Sequence, residues 1–305
     1  MATNPILLLG ANGQVGSELV TALQGLGPVI ALGRAHADLS EPESLRALVR
    51  MHQPHMIINA AAYTAVDRAE TEPALAMAVN ATAPRVLAQE AQALGAVLVH
   101  YSTDYVFDGA KVDSYIETDS TRPLSVYGLT KRAGELAILE ACQRSLIIRT
   151  SWVFGSHGTN FLKTMLRLGA ERSSLRVVAD QLGAPTSAQL IAHTTAHLLT
   201  TMRDIDAADS RWGLYHLAAL GVTSWHGYAT AVLHSAKERG MSVLVLPEQI
   251  LPIATHEYPL PAQRPANSRL DTSKIIDTFG VKLSDWRVGM ESVLDDLQRD
   301  VHKAT

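Results

Sequence analysis

Two side chains that could together move a proton stand four residues apart near the middle of the chain, Tyr127 and Lys131. Residues at this spacing share one face of a helix, so the phenol and the ammonium can meet at one point. A phenol ionises near about pH 10, and a neighbouring cation lowers its pKa. Such a pair suits proton delivery to a carbonyl oxygen while the carbon receives a hydride. We therefore expect Tyr127 to act as general acid and Lys131 to lower its pKa.

A third residue suited to this chemistry, Thr103, follows an apolar run at 97–100 that predicts a strand. Thr103 lies about two dozen positions before Tyr127. In a doubly wound sheet, ligand sites form at the carboxyl ends of the strands. Thr103 is therefore expected to hydrogen-bond the same carbonyl group that Tyr127 protonates.

A glycine-rich turn near the N-terminus predicts a nucleotide site. The apolar run at 5–9 predicts a buried parallel strand, the glycines Gly10, Gly13 and Gly16 follow at once, and residues 18–26 predict a helix. Glycines there permit a tight turn and close backbone approach to a diphosphate at the helix N-terminus. This three-plus-three spacing is common in short-chain dehydrogenases.

Strand and helix patterns alternate along the first half of the chain, which predicts a parallel sheet with helices on both faces. After about Trp152 the alternation loosens, and residues 247–265 contain five prolines, which predicts a loop-rich cap over a substrate pocket. Further strands are predicted at 29–32, 56–59, 146–149 and 214–217, and helices at 43–52, 73–94 with a break near Pro84, 126–142, 161–172, 189–202 and 224–239.

The predicted fold class is α/β, a Rossmann-like doubly wound parallel sheet with a smaller C-terminal substrate-binding domain. We expect residues 1–155 to form the dinucleotide-binding domain, with 187–220 adding to it. Residues 156–186 and 221–305 are expected to form the substrate-binding domain.

Composition agrees with an enzyme that works on small molecules. The chain has 305 residues, a net charge of −4 and a pI near 6.3, which argues against nucleic-acid binding. No apolar run approaches the roughly 20 residues of a membrane span, and no basic region precedes the first apolar run, so a cytoplasmic location is expected. The single cysteine, Cys142, excludes an internal disulfide and is expected to pack in the interior.

Seven segments spread over nearly the whole chain carry a family resemblance. They are GANGQVG at 10–16, NAAAYTAVD at 59–67, VHYSTDYVF at 99–107, VYGLTK at 126–131, RTSWVF at 149–154, DQLGAPT at 180–186 and RPANSRLD at 264–271. The chain resembles the dTDP-4-dehydrorhamnose reductases of the extended short-chain dehydrogenase superfamily. The first and fourth segments indicate the superfamily, and the STDYVF, DQxGxPT and RPxNSR runs indicate the narrower family.

The resemblance implies that a nicotinamide nucleotide reduces the C4 ketone of dTDP-4-dehydro-L-rhamnose to dTDP-L-rhamnose, the last step of dTDP-rhamnose synthesis. Catalysis would rest on Thr103, Tyr127 and Lys131. Residues expected to contact the sugar nucleotide are Asp104, Tyr105, Trp152, Arg264, Asn267 and Arg269, where the two arginines suit a diphosphate. Residues expected to contact the cofactor are Gly10, Gly13, Gln14, Val15, Gly16, Arg34, Asp38, Leu39, Ala61, Ala62, Tyr63, Tyr101, Tyr127 and Lys131.

The end of the second predicted strand bears on the choice between NADPH and NADH. Many NAD-binding members carry an acid there for the adenosine ribose, whereas this chain reads Leu32-Gly33-Arg34. A missing carboxylate removes repulsion against a 2′-phosphate, and an arginine can accommodate one. NADPH is therefore favoured over NADH, and the next acid, Asp38, falls where the family contacts adenine.

Some members of the family form homodimers bridged by a divalent metal. Glu18 and Asp296 match such ligand positions approximately, but Gln189 stands where a third acid is expected. Because hard cations prefer charged oxygens, two acids and an amide would hold Mg²⁺ less firmly. The sequence leaves open whether a metal bridges a homodimer here.

Other functions on the same scaffold remain open from the sequence. An epimerase or dehydratase is disfavoured because no second acid follows Asp104. A non-catalytic regulatory subunit, such as that of methionine adenosyltransferase, is disfavoured because Thr103, Tyr127 and Lys131 are all present. The sequence does not fix which face of C4 the hydride attacks, so a related reductase of other stereochemistry stays an alternative. His193 and His197 lack the glutamate of a zinc hydrolase motif and are expected to lie on a helix surface.

Overall fold

The computed structural model describes the backbone of residues 4–304 and the side chains of residues 4–299. Its strands are β1 (Ile6–Leu9), β2 (Val29–Leu32), β3 (Met56–Asn59), β4 (Val97–Thr103), β5 (Ser145–Thr150), β6 (Val153–Phe154), β7 (Leu175–Val178), β8 (Leu182–Gly183), β9 (Thr186–Ser187), β10 (Gly213–His216), β11 (Thr223–Ser224) and β12 (Ile250–Ile253). Its helices are α1 (Gln14–Ala22), α2 (Pro42–His52), α3 (Val66–Ala69), α4 (Pro73–Met77), α5 (Ala83–Leu94), α6 (Val126–Ala141), α7 (Phe161–Glu171), α8 (Ala188–Met202), α9 (Trp225–Glu238), α10 (Ser273–Phe279) and α11 (Trp286–Ala304).

Six strands form one parallel sheet in the order β2-β1-β3-β4-β5-β10. The chain runs outwards from β1 to β2 and then returns to β3 on the other side of β1. The direction of winding therefore reverses between β1 and β3, and a ligand crevice forms at the carboxyl ends of strands at such a point. The predicted Rossmann-like α/β fold is confirmed.

Strand β1 shows why the sheet is covered on both faces. Ile6 and Leu8 pack into one apolar cluster with residues of α1 and α8, while Leu7 and Leu9 pack into another with residues of α2 and α5. All four side chains are fully buried. Burial of each contributes about 1.5–3 kcal/mol, so a strand of only four residues is firmly fixed at the centre of the sheet.

The C-terminal half has a separate apolar cluster built by α7, α9, α11, β7 and β12. Leu162, Val177, Val232 and Trp286 are among its buried members. Strand β12 lies within the segment predicted only as a loop-rich cap, and it pairs in parallel with β7. The sequence of β12, Ile-Leu-Pro-Ile, shows no alternation of polar and apolar residues and contains a proline, so it does not predict a strand; the pairing with β7 depends on contacts with a distant segment.

Several element boundaries differ from those predicted. The first helix begins at Gln14, directly at the glycine turn, and ends at Ala22 before a short 3₁₀ turn at Gln24–Leu26. The helix predicted at 73–94 does not break at Pro84; a π-helical turn at Ala78–Thr82 joins α4 to α5. Pro84 fits the first turn of α5, where no backbone N–H is required. Between residues 4 and 304, none of the helices has both the length and the apolar character needed to cross a bilayer.

Candidate active site

The glycine turn after β1 brings the ends of β1 and β3 close together. Gly10 has a φ of +81°, and a Cβ there would lie 2.6 Å from the backbone nitrogen of Ala61. A Cβ on Gly16 would lie 2.0 Å from the carbonyl oxygen of Gly10. Only glycine at both positions permits this tight turn, which leaves the N-terminus of α1 facing the crevice.

A cleft of about 800 Å³ opens at this edge of the sheet, a volume within the usual range for a small-molecule site. The structure brings the residues expected to contact the cofactor together around this cleft, with the exception of Gly16, which is buried beneath the turn. Those that line the cleft are Gly10, Gly13, Gln14, Val15, Arg34, Asp38, Leu39, Ala61, Ala62, Tyr63, Tyr101, Tyr127 and Lys131. The glycine cradle and the lining residues fit a nicotinamide dinucleotide.

Arg34 and Asp38 stand together at one part of the cleft. Arg34 Nε lies 3.4 Å from Asp38 Oδ2, and the arginine side chain is 78% exposed. Asp38 also accepts hydrogen bonds from the backbone and hydroxyl of Ser40, which are the main reason that its pKa is lowered. The Arg34 side chain is thus largely solvated and is held at the cleft by one carboxylate, rather than buried in a rigid binding pocket.

Tyr127, the predicted general acid, is positioned by the start of α6. The Ser125 hydroxyl caps the helix by accepting from the backbone N–H of Gly128. A Cβ at Gly128 would lie 2.2 Å from the carbonyl oxygen of Tyr105, so glycine lets the helix approach the turn after β4. The Tyr127 ring then packs against Tyr105, with centroids 5.4 Å apart and planes at 77°.

The structure brings Tyr127 and Thr103 together, as the sequence predicts. Burial raises the pKa of Tyr127 to about 12, a hydrogen bond with Thr103 opposes that rise, and the charge of Asp104 adds to it. The phenol is therefore protonated at neutral pH. A buried, protonated phenol beside a hydroxyl group suits a general acid for a developing oxyanion.

Lys131 does not act on Tyr127 in the way expected from the sequence. Its ammonium donates to the carbonyl oxygen of Tyr101 at 2.6 Å and lies 3.2 Å from His100 Nε2. Burial lowers the pKa of Lys131 to about 8 despite the nearby charge of Glu135. The pKa of Tyr127 is raised rather than lowered, because Lys131 directs its hydrogen bonds to β4 and burial dominates at the phenol.

Asp104 presents a buried carboxylate next to Thr103. Its Oδ1 accepts from the Thr103 hydroxyl at 3.0 Å, while Oδ2 has no hydrogen-bond partner in the part of the chain whose side chains are described. Burial raises the pKa of Asp104 to about 6. A buried acceptor without a partner is costly unless a ligand satisfies it, so Asp104 is suited to a sugar hydroxyl.

Trp152 adopts an unusual backbone conformation, with a φ of 48°. Its indole stacks on Trp225 at 3.6 Å between centroids and an interplanar angle of 12°. A Cβ at Gly183 would lie 2.7 Å from the indole, so the ring lies flat against that backbone as well. The aromatic face expected to stack on a hexose is therefore partly used within the protein.

The residues at 264–269 are engaged by other parts of the chain. Arg264 forms a two-pronged ion pair with Asp67, at 2.6 and 2.7 Å. Arg269 donates to Asn267 Oδ1 and to the carbonyl oxygen of Val112. The Asn267 amide in turn donates to two backbone carbonyls of the segment 111–113. The predicted diphosphate role therefore falls on guanidinium groups that already have protein partners.

The predicted metal ligands are not gathered into a site. Across residues 4–299, no group of three or more His, Cys, Asp or Glu side chains could hold a metal ion, and Glu18 and Asp296 belong to none. Asp296 pairs with Arg299, and Gln189 accepts a hydrogen bond from Ser292. Asp296 and Gln189 therefore have partners within the protein.

The remaining sequence expectations concern residues outside the cleft. His193 and His197 are exposed on α8, as expected, and His197 Nε2 lies 3.0 Å from the Phe279 carbonyl oxygen. Cys142 is buried in the core, where burial raises its pKa to about 11. The prediction of surface histidines and a packed cysteine is confirmed.

Sequence reasoning missed a buried polar pair beneath Lys131, formed by Asn59 and His100. Asn59 ends β3 and His100 lies in β4, where both side chains are almost completely buried. The Asn59 amide nitrogen lies 3.1 Å from His100 Nδ1. The available signal was a histidine that directly follows the apolar residues 97–99 of a predicted buried strand.

Comparisons with known proteins agree with this geometry. The family model for the RmlD substrate binding domain matches residues 4–299. The chain is 48% identical to a dTDP-4-dehydrorhamnose reductase of Burkholderia thailandensis over 96% of this chain and 98% of that protein. It is 47% identical to the Escherichia coli K12 enzyme of the same name, over 96% and 97%.

A solved structure is similar in both sequence and fold. The dTDP-4-dehydrorhamnose reductase of Bacillus anthracis, in complex with NADP, superimposes with a TM-score of 0.86 at 34% identity, over 96% of this chain and 99% of that one. The family model and the two curated relatives each span nearly the whole chain. The chain belongs to the dTDP-4-dehydrorhamnose reductase family.

Proposed function

We propose that this chain reduces the C4 ketone of dTDP-4-dehydro-L-rhamnose with NAD(P)H to give dTDP-L-rhamnose. The observation that carries the proposal is that Tyr127, which interacts with Thr103, lines the cleft formed at the glycine turn. The two curated relatives carry the name of this reductase over nearly their whole length. A ketone reduction needs one hydride and one proton, and the site offers a place for each donor.

Each step assigned to the protein follows from the position of a side chain. The glycine turn and Lys131 would hold a nicotinamide nucleotide, which would supply the hydride. Thr103 would orient the C4 oxygen and, by turning its hydroxyl proton away from Asp104 Oδ1, would donate to that oxygen as negative charge develops. Tyr127 donates the proton, and its raised pKa keeps that proton in place at neutral pH. General acid catalysis of this type contributes about 10²–10⁴-fold.

The sugar nucleotide would lie against the residues that follow β4 and β5. Asp104 would accept a hydrogen bond from a sugar hydroxyl through its unpartnered Oδ2. Tyr105 and Trp152 would border the hexose. Arg264, Asn267 and Arg269 would face the nucleotide, and Arg264 would exchange part of its pairing with Asp67 for the ligand.

The two apolar cores suggest which part of the chain binds the cofactor and which part binds the substrate. Residues 1–155 with 187–220 would bind the cofactor, because they include the six-stranded sheet. Residues 156–186 and 221–305 would bind the substrate, because they contribute most of the second apolar cluster. NADPH is favoured over NADH. Two observations support this preference: neither Gly33 nor Arg34 is an acid, and the Bacillus anthracis protein was solved in complex with NADP.

Association and location follow from the family resemblance. Because some members are homodimers, we expect a homodimer. Sedimentation tests for the dimer, and sedimentation in the presence of a chelator tests whether a metal is needed to hold it together. Within one chain, Glu18 and Asp296 do not belong to a group of three or more ligands among the described residues. A cytoplasmic location is expected from the substrate and is tested by cell fractionation.

The test of the proposed function is the oxidation of NADPH on addition of dTDP-4-dehydro-L-rhamnose. We expect one NADPH consumed for each sugar nucleotide. A matched reaction with the C4-reduced product, dTDP-L-rhamnose, should consume none. A protein that binds the sugar nucleotide but oxidises no NADPH or NADH would be a non-catalytic subunit, and interconversion of sugars without net oxidation would indicate an epimerase.

A further inference from the structure

Trp152 has a strained backbone that the surrounding structure must hold in place. Its φ of 48° lies in the left-handed region, where a bulky residue is a rare outlier. Such strain persists only where neighbouring groups fix the residue, and it occurs most often at functional sites. The Trp152 carbonyl oxygen accepts from the backbone N–H of Thr186 at 3.2 Å, which fixes the peptide group but not the ring. The position of the indole therefore depends on what packs against it.

The Trp152 indole is covered on both faces. Trp225 stacks on it, with centroids 3.6 Å apart and planes at 12°. A Cβ at Gly183 would lie 2.7, 2.9 and 3.1 Å from Cε2, Cζ2 and Cδ2 of Trp152. A point so close to both carbons of the fused bond lies above the ring plane, and the two stacked indoles leave no room for it between them. Gly183 and Trp225 therefore lie on opposite faces, and the edge of the Trp152 indole is left for a ligand.

Trp152 follows the strand end that lies beside Thr103. Thr150 pairs with Thr103 in the register of β4 and β5, and adjacent strands lie about 4.8 Å apart. Thr150 and Val153, which precede and follow Trp152 in the sequence, both line the cleft. Trp152 Nε1 has no hydrogen-bond partner in the part of the chain whose side chains are described, and it is not among the buried unpaired atoms there. A donor on the indole edge is therefore open to a ligand.

Trp225 is itself fixed by residues of the predicted substrate-binding domain. Its Nε1 donates to Gln181 Oε1 at 3.1 Å, and Phe161 packs against its ring with centroids 4.6 Å apart. The Gln181 amide in turn donates to the Thr255 hydroxyl at 3.1 Å. Trp225 thus has a defined position from which its ring can hold Trp152.

We infer that Trp225 is a positioning residue for the sugar, because it holds Trp152 in the strained conformation that turns the indole edge towards the hexose. The inference rests on the proposed function, in which Trp152 borders the hexose. Without the stack, the strained conformation loses its support, and each binding event must order the ring again. The loss falls on affinity for the sugar and not on affinity for the nucleotide or the cofactor.

Calorimetry with dTDP-L-rhamnose and with dTDP separates the sugar contact from the nucleotide contact. We expect Trp225→Leu to weaken binding of dTDP-L-rhamnose by about tenfold, the upper end for one aromatic pair, and to leave the Kd values for dTDP and NADPH unchanged. Trp225→Phe can still stack and should bind dTDP-L-rhamnose nearly as well as wild type. Trp212→Leu is the matched control, because Trp212 packs under Arg144 and does not line the cleft.

Two results of that titration would contradict the inference: no loss of affinity in Trp225→Leu, or an equal loss for dTDP-L-rhamnose and dTDP. Gln181→Leu serves if Trp225→Leu does not fold, since it keeps both indoles and removes only the bond that fixes Trp225. It should weaken binding of dTDP-L-rhamnose selectively, and unchanged binding would again contradict the inference.

A double-mutant cycle tests whether Trp225 acts through Trp152. In Trp152→Ala, the further change Trp225→Leu should cost no more affinity for dTDP-L-rhamnose, whereas a further loss of the same size would show that Trp225 contacts the sugar itself. Exciton coupling between the two indoles in circular dichroism should be present in wild type and lost in Trp225→Phe, and its absence from wild type would overturn the inference. A wild type that binds dTDP-L-rhamnose with these dependences but oxidises no NADPH would overturn the proposed reaction alone.

Discussion

The edge of the Tyr105 ring packs against the Tyr127 ring, with centroids 5.4 Å apart and planes at 77°. Such edge-to-face pairs contribute about 0.5–1.5 kcal/mol beyond burial of area. The contact fixes the orientation of the Tyr127 ring without using its hydroxyl group. The position of the ring and the proton that it carries can therefore be tested separately.

Replacing Tyr127 by Phe keeps the ring against Tyr105 and removes only the proton donor. We expect kcat to fall by at least about 10²-fold, the scale of general acid catalysis, with little change in stability. Tyr215→Phe is the matched control, since the Tyr215 hydroxyl binds the Arg211 carbonyl away from the cleft. Steady-state kinetics of both variants check this, and a Tyr127→Phe enzyme within a few-fold of wild type would exclude Tyr127 as the acid.

Replacing Lys131 by Met removes the group that lies between β4 and the cleft. Because one side chain serves both the cofactor and the catalytic group, we expect kcat to fall and the Kd for NADPH to rise. Lys274→Met is the control, as this lysine binds the Leu214 carbonyl outside the cleft. Kinetics and fluorescence titration with NADPH measure the two effects. A variant altered in neither would remove Lys131 from the site.

The sequence predicted the cofactor cleft because local signals specify it. Gly10, Gly13 and Gly16 determine the turn, and strand ends determine where Thr103 and Tyr101 lie. The roles of Lys131 and Arg264 were less predictable. Burial of Lys131 against β4 and the pairing of Arg264 with Asp67 depend on contacts between distant segments, which no local pattern records.

The choice of cofactor depends on the end of β2. Gly33 and Arg34 both line the cleft and neither is an acid, while the carboxylate of Asp38, which also lines the cleft, is paired with Arg34. A charge-assisted bond from Arg34 is worth about 1.5–3 kcal/mol at most. Because the Arg34 side chain is 78% exposed and shares its charge with Asp38, we expect an NADPH preference of about tenfold in kcat/KM.

Arg34→Ala should reduce that preference, and Gly33→Asp should shift it towards NADH. The atoms nearest to a Cβ at Gly33 belong to the exposed side chain of Asn12, which can move. Arg167→Ala is the control, because Arg167 forms a similar exposed pair with Glu171 on α7. Kinetics with each cofactor on all four proteins decide the matter. An NADH-favouring wild type would mean that Arg34 does not reach the ribose.

Asp104 should make stability depend on pH. Burial raises its pKa from 3.8 to about 6, so the folded protein holds that proton more tightly than the unfolded chain. Stability is then lost as pH rises through this interval, by about 3 kcal/mol at 1.36 kcal/mol for each pKa unit. The Asp104→Asn variant has no carboxylate to ionise and does not lose stability in this way. It should therefore be more stable relative to wild type above about pH 6 than at low pH.

Urea unfolding of wild type and Asp104→Asn at about pH 4 and about pH 7 measures that difference. Asp209→Asn provides a control that should show almost no change relative to wild type between these two pH values, because hydrogen bonds from Arg211 lower the pKa of Asp209 to about 2 and its titration lies below this window. An Asp104→Asn variant whose stability relative to wild type is the same at both pH values would show that the Asp104 carboxylate is solvated or paired.

The π-helical turn at Ala78–Thr82 shows another limit of prediction from the sequence. Its Asn80 binds the backbone of Tyr63 and the hydroxyl of Thr130, and a Cβ at Gly134 would lie 2.1 Å from the Asn80 carbonyl oxygen. The alanine-rich sequence predicts helix there, which is correct in kind. The extra residue in the turn arises from packing against α6, which is remote in the sequence.

The central claim is that the chain delivers hydride and proton to C4 of a dTDP-linked 4-keto-6-deoxy sugar. The most direct measurement is NMR of the product formed from dTDP-4-dehydro-L-rhamnose and NADPH deuterated at the transferred position. We predict that the product is dTDP-L-rhamnose with deuterium at C4. The Tyr127→Phe variant should not form this product at a rate comparable to that of the wild type. A product with the 6-deoxytalose configuration would contradict the assigned stereochemistry, and unreduced sugar nucleotide would contradict the reductase itself.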